Sequence, residues 1–146
     1  MINTGFEDIY EQTVVDPGAL SAATVPASYI DVSNYERFQF KLDVGATDQA
    51  IALQVVQATA AAGTGSKNVT GAAITALAGT DDNKQVIVEV ETRKLDINNG
   101  FHFVAVTIGL TGGTGTTGYV EFRGLNPGVK PVTQPAAFAQ QVLVAG

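Results

Sequence analysis

The 146-residue sequence has no cysteine, no tryptophan and a single histidine, and only 15% of its residues are charged. Without cysteine there is no disulfide framework, no thiolate nucleophile and no Cys-based zinc site. One histidine removes most imidazole chemistry. Positive charge is scarce as well: eight basic against fourteen acidic residues give a net charge of -6. That balance argues against a surface that neutralises phosphate backbones, so nucleic acid is not an expected partner. No apolar run approaches the roughly 18 residues needed to cross a bilayer. The best stretch, residues 103–110, is interrupted by Thr107 and Gly109, so a membrane is not expected either. Residues 1–8 have neither the basic n-region nor the apolar h-region of a secretory signal, and synthesis in a cytoplasm is expected.

Against these absences stand 45% hydrophobic residues and 16 glycines. A free monomeric domain carries about 25% charged residues. A chain so lightly charged has either a large uncharged polar surface or a surface that something covers, and the second option points to assembly.

Alternation with a period of two dominates the chain, and helical periodicity is nearly missing. In residues 37–44, Phe38, Phe40, Leu42 and Val44 share one face, with Arg37, Gln39, Lys41 and Asp43 on the other. This is the pattern of a half-buried antiparallel strand. Residues 84–91 repeat it, with Val86, Val88 and Val90 inward and Glu89 and Glu91 outward. Further strands are expected at 50–57, at 101–110, which is apolar on both faces, and at 119–124, with weaker candidates at 9–15, 28–32 and 141–144.

Turn signals fall at Asp16-Pro17-Gly18, at 44–48, at 80–83, at Asn98-Asn99-Gly100 and across the glycine-rich stretch 109–118. Two short stretches, 71–77 and 92–96, could be helical, although neither would be stable alone. The expected fold is therefore all-β, an antiparallel β-sandwich or small barrel of jelly-roll type. Its predicted organisation is an N-terminal arm (1–8), a β-rich domain (9–125) and an extended C-terminal arm (126–146). Pro127, Pro131 and Pro135 punctuate that second arm and keep it from running as a central strand. It ends in the apolar Val142, Leu143 and Val144, which is unusual for a tail left free in water.

Local motifs carry little chemistry. Residues 113–118 match G-x-G-x-x-G, but a strand is expected next where the dinucleotide motif requires a helix. Residues 62–67 have the composition of a phosphate loop without its G-K-[ST] order. Asp81-Asp82-Asn83 lacks calcium-loop spacing, and the sequon at Asn68 has no consequence without secretion. His102 shows no orienting partner or nucleophile in sequence. Glu89 and Glu91 lie about 7 Å apart on one strand face, a spacing that could suit a glycosidase pair, but aromatic side chains for a sugar platform are few. No catalytic residue, metal ligand or cofactor is expected.

A resemblance enters at residues 29–37, Tyr-Ile-Asp-Val-Ser-Asn-Tyr-Glu-Arg. It continues through 38–45, 55–59, 71–75, 82–90 (DNKQVIVEV) and 95–101 (LDINNGF), and closes with 124–132 (GLNPGVKPV). Over roughly residues 28–132 the chain resembles small structural proteins encoded beside the major capsid gene of tailed bacteriophages, the head decoration or cement proteins. It departs from their pattern at Gly128-Val129, where relatives often carry Arg-Tyr after the Asn-Pro. The resemblance implies a β-rich fold, assembly on a capsid lattice, often as trimers, and no enzymatic activity.

The resulting expectation is a capsid cement protein on the outer surface of a virion, with the major capsid protein and further copies of itself as partners. The expected contact residues are Pro127, Lys130, Pro131, Pro135, Phe138, Val142, Leu143 and Val144. The alternatives are a displayed carbohydrate- or receptor-binding module and a tail-tube or connector subunit.

Overall fold

The computed structural model describes residues 8–130 and 132–135. In chain order the strands are β1 (Ile9–Ala19), β2 (Ala23–Asp31), β3 (Tyr35–Ala58), β4 (Lys67–Ala76), β5 (Gln85–Glu91) and β6 (Phe103–Pro127). Two 3-10 turns, Thr92–Lys94 and Ile97–Asn99, lie between β5 and β6. Every pairing is antiparallel, in one six-stranded sheet that does not close into a barrel.

At 24 and 25 residues, β3 and β6 are several times the usual strand length of about 5–6. Each serves two layers. The first half of β3 lies between β5 and the last part of β6, which also pairs with β1. The second half lies between β4 and the first part of β6, which also pairs with β2. Counting each half of β3 and β6 as a segment gives eight segments in two four-stranded layers, ordered 1-8-3-6 and 2-7-4-5. This is jelly-roll topology, so of the two expected forms the sandwich is the one found.

The alternating residues explain why the layers close on each other. Phe38, Phe40, Leu42, Val86, Val88, Val90, Val120 and Phe122 come from one layer, and Ile51, Leu53, Val55, Val69, Val104, Val106 and Ile108 from the other. All belong to one buried cluster. The Phe122 ring lies 5.3 Å from Phe40 and 6.1 Å from Phe38. Each such side chain contributes roughly 1.5–3 kcal/mol by leaving water.

Several expected boundaries are corrected. The turn at 44–48 and the loop at 109–118 are bends within β3 and β6, and the strand at 50–57 is the second half of β3. Asp16-Pro17-Gly18 lies within β1, where the register with β6 shifts. The physical reason is common to all: Gly, Pro and Asp mark departure from a straight strand, and a bend between layers uses the same residues as a chain reversal. At Gly118, which pairs with Val44 of β3 and Gly18 of β1, a Cβ would lie 2.6 Å from the Asp43 carbonyl oxygen, so a residue without a side chain is required.

Residues 71–77, a possible helix, run as strand β4 through Ala76. Gly71 there takes φ +80° where the β3–β4 register shifts, and Ala72 and Ala76 are buried against the core. The turn expected at 92–96 is found as a 3-10 turn, and the 80–83 and 98–100 turns are in place.

Candidate functional site

The chemistry-bearing residues are brought together differently from a catalytic site. His102 Nδ1 lies 3.1 Å from Asp31 Oδ1, with its ring 4.5 Å from that of Phe103. The Ser33 backbone N–H donates to the same carboxylate oxygen at 2.9 Å. Burial alone would raise the Asp31 carboxyl, but hydrogen bonds from Ser33 and His102 outweigh it and hold the group below its ordinary value. Ser, Asp and His thus meet in the wrong order. The carboxylate lies between the other two, whereas an activated nucleophile needs the imidazole against the hydroxyl. Tyr35 nearby is pushed up to about 12, chiefly by burial and further by Tyr10 and Asp31, and stays a neutral phenol near neutral pH.

Glu89 is paired with Arg37 at 3.6 Å and accepts a hydrogen bond from Gln39 at 2.7 Å. Glu91 is paired with Arg93, whose hydrogen bond holds that carboxyl below its usual range. Both carboxylates are taken up in ion pairs, and that of Glu91 is lowered, the opposite of what a general acid requires. Residues 113–118 lie inside β6, and among the described residues no helix follows them. The Thr114 and Gly115 N–H groups there already donate to the Asp48 carboxylate at 2.9 and 2.8 Å. Asp81 accepts from the Leu77 N–H at 2.7 Å and closes its own turn. Among the described residues no three His, Cys, Asp or Glu side chains cluster as metal ligands.

What the fold offers instead is strand edges. Among the described residues β1, β2, β4 and β5 each pair with one strand, which leaves two seams, one between β1 and β2 and one between β4 and β5. The first is partly guarded. The side-chain amide of Gln134 donates to the Ile9 carbonyl at 2.7 Å and accepts from the Glu11 N–H at 3.1 Å, meeting β1 as a neighbouring strand would. Tyr29 N–H donates to Ala61 O at 2.8 Å, so the loop after β3 rests on β2.

The β4/β5 seam holds a cleft of about 600 Å³, whose walls include Val69, Thr70 and Ala72 of β4 and Glu89, Val90 and Glu91 of β5. One end is closed by the Lys67–Asp96 ion pair at 2.5 Å, with Lys67 Nζ 4.0 Å from the centre of the Phe101 ring. Ile74, Leu77 and Ile87, three of the exposed large hydrophobic residues, belong to β4, the turn after it and β5. Sequence reading missed this seam, because strand order was not legible there; its one local signal was β5, an alternating run without proline or glycine.

The expected contact residues are divided by the structure. Pro127 is buried at the end of β6, opposite Tyr35, so β6 continues two residues past the expected domain boundary. Asn34 holds the next residues: its carbonyl accepts from the Gly128 N–H and its side chain accepts from the Val129 N–H, both at 2.8 Å. Lys130 is exposed and pairs with Asp8 at 2.7 Å. Pro135 is half-buried beside Gln134. Pro131, Phe138, Val142, Leu143 and Val144 lie outside the described residues, as do residues 1–7 of the N-terminal arm.

No protein-family model and no curated protein matches the chain. A solved structure from the Bacillus endospore appendages, described as a family of disulfide-linked pili, is similar over 87% of this chain and 96% of that one. Identity is 14% and the TM-score is 0.44.

Proposed function

We propose that this chain is a structural subunit of a virion, a decoration or cement protein that binds the outside of a tailed-phage head and stabilises the lattice of the major capsid protein. The observation that carries this reading is the contrast between the two parts of the chain. In the sandwich, many charged side chains are paired with one another. Residues 131–146 contain no charged side chain at all. Such a segment gains by leaving water, at about 25 cal/mol per Å² of apolar surface, and repetition over a lattice turns weak contacts into avidity. The resemblance over residues 28–132 supports the same assignment. Jelly rolls occur in viral capsid and lectin domains alike, so topology by itself does not separate the two.

The test is deletion of residues 136–146, followed by addition to purified capsids that lack the protein. The expected result is loss of occupancy and of the particle's added heat resistance. Unchanged occupancy would remove the arm from the mechanism, and failure of the full chain to bind capsids would remove the assignment.

A further inference from the structure

We propose that the β4/β5 seam is the receiving site for residues 136–146 of a second copy of this chain, which enters it as an added strand. This rests on the assembly reading above and names its acceptor. Three observations choose the site and its occupant.

The first is the state of the edges. Unpaired edges of similar strands invite pairing unless they are blocked. β1 is met by the Gln134 amide and β2 by the loop carrying Ala61. β5 is regular over its whole pairing with β3, from Arg37 opposite Glu91 to Asp43 opposite Gln85, and contains no proline or glycine. Between it and β4 the cleft is floored by Val69, Ala72 and Val90, which belong to the core. A strand added along β5 would find a regular backbone edge on its flank and apolar side chains of the core beside it, the two components of recognition by strand addition.

The second is charge. The acidic groups at the seam are already matched: Glu89 with Arg37, Glu91 with Arg93 and Asp96 with Lys67. An uncharged strand leaves those pairs intact, and residues 136–146 are uncharged.

The third is position. Gln134 fixes the end of the described chain at the outer edge of β1, and the receiving seam lies at the other edge of the same layer, three strand spacings or about 14 Å away. Eleven residues in extended form reach about 36 Å, which is enough to leave the sandwich and pair with a neighbour. To reach its own seam the segment would have to cross the outer face of the layer. That face carries the exposed pairs Glu11–Arg123 and Arg37–Glu89, and covering them with an uncharged segment would strip water from charges. Donor edge and acceptor edge are therefore on opposite sides of each subunit. The contact is heterologous, and it generates closed rings or open filaments, not two-fold dimers.

The experiment exploits the absence of native cysteine. Chains carrying Thr70→Cys are mixed with chains carrying Gln140→Cys or Gln141→Cys and oxidised. The expected product is a disulfide-linked dimer joining one chain of each kind, whereas Thr13→Cys on β1 in place of Thr70→Cys gives none. In parallel, light scattering of the full chain should show an oligomer that falls to single-chain mass when residues 136–146 are removed. A Thr70→Cys/Gln141→Cys chain that links only within itself overturns the proposal, as does equal linking to Thr13→Cys. Because cross-linking uses the full-length chain, it decides the matter even if the shortened chain fails to fold. Capsid binding with no linkage at the seam removes this acceptor and leaves the cement assignment standing; linkage without capsid binding does the reverse.

Discussion

Asp48 is exposed, yet its carboxylate takes hydrogen bonds from the backbone N–H groups of Thr114 and Gly115. Those bonds, that from Gly115 first, hold the carboxyl below its ordinary value near 3.8. A group whose folded value is depressed adds stability above its unfolded value, and loses it as pH falls through the folded one. Protection of the Thr114 and Gly115 amides from hydrogen exchange should therefore be constant near neutrality and decline below the ordinary aspartate range. Asp48→Asn should remove that pH dependence. Protection that is independent of pH in the unaltered chain would show that the carboxylate does not hold this bend.

At the scale of elements, the bends in β3 and β6 determine the architecture. Straight strands of 24 and 25 residues would leave their apolar rows exposed to water, and the bends fold the sheet so that these rows close on each other. Gly118 is placed where β6 pairs with the end of the first half of β3, opposite Val44. Gly118→Ala should cost about 1–3 kcal/mol, the range for forcing extra volume into a packed site, because its Cβ meets backbone and cannot be relieved by a rotamer change. Gly115→Ala is the control: its Cβ would come no nearer than 3.9 Å to Asp48 Oδ1, and little change is expected. Urea denaturation of both variants checks the difference.

For the whole molecule, the net charge is -6 and most of the ion pairs reach solvent; such pairs contribute little to stability. If uncharged segments make the contacts between subunits, association should persist at about 1 M salt, where the Debye length is only ~3 Å. Sedimentation of the assembled protein across a salt series tests this, and dissociation at high salt would assign the contacts to charged faces instead.

Much of the fold could be read directly from residues. The inward rows Phe38, Phe40, Leu42 and Val86, Val88, Val90 are set by the period of two, which is a local property of extended chain. The same local chemistry could not distinguish a bend from a reversal, so the glycine-rich stretch 109–118 read as a loop until its partners on β1 and β3 were in place. Nor could it assign Gly71, Ala72 and Ala76 to a strand, because small residues take their structure from what they pack against. Of the proposed interface, only the uncharged C-terminal segment was legible in sequence, and nothing of the seam proposed to receive it. The β4/β5 seam arises from pairings between residues far apart in the chain: by itself the sequence determined which faces seek cover, and only the tertiary structure decided which edges are left open.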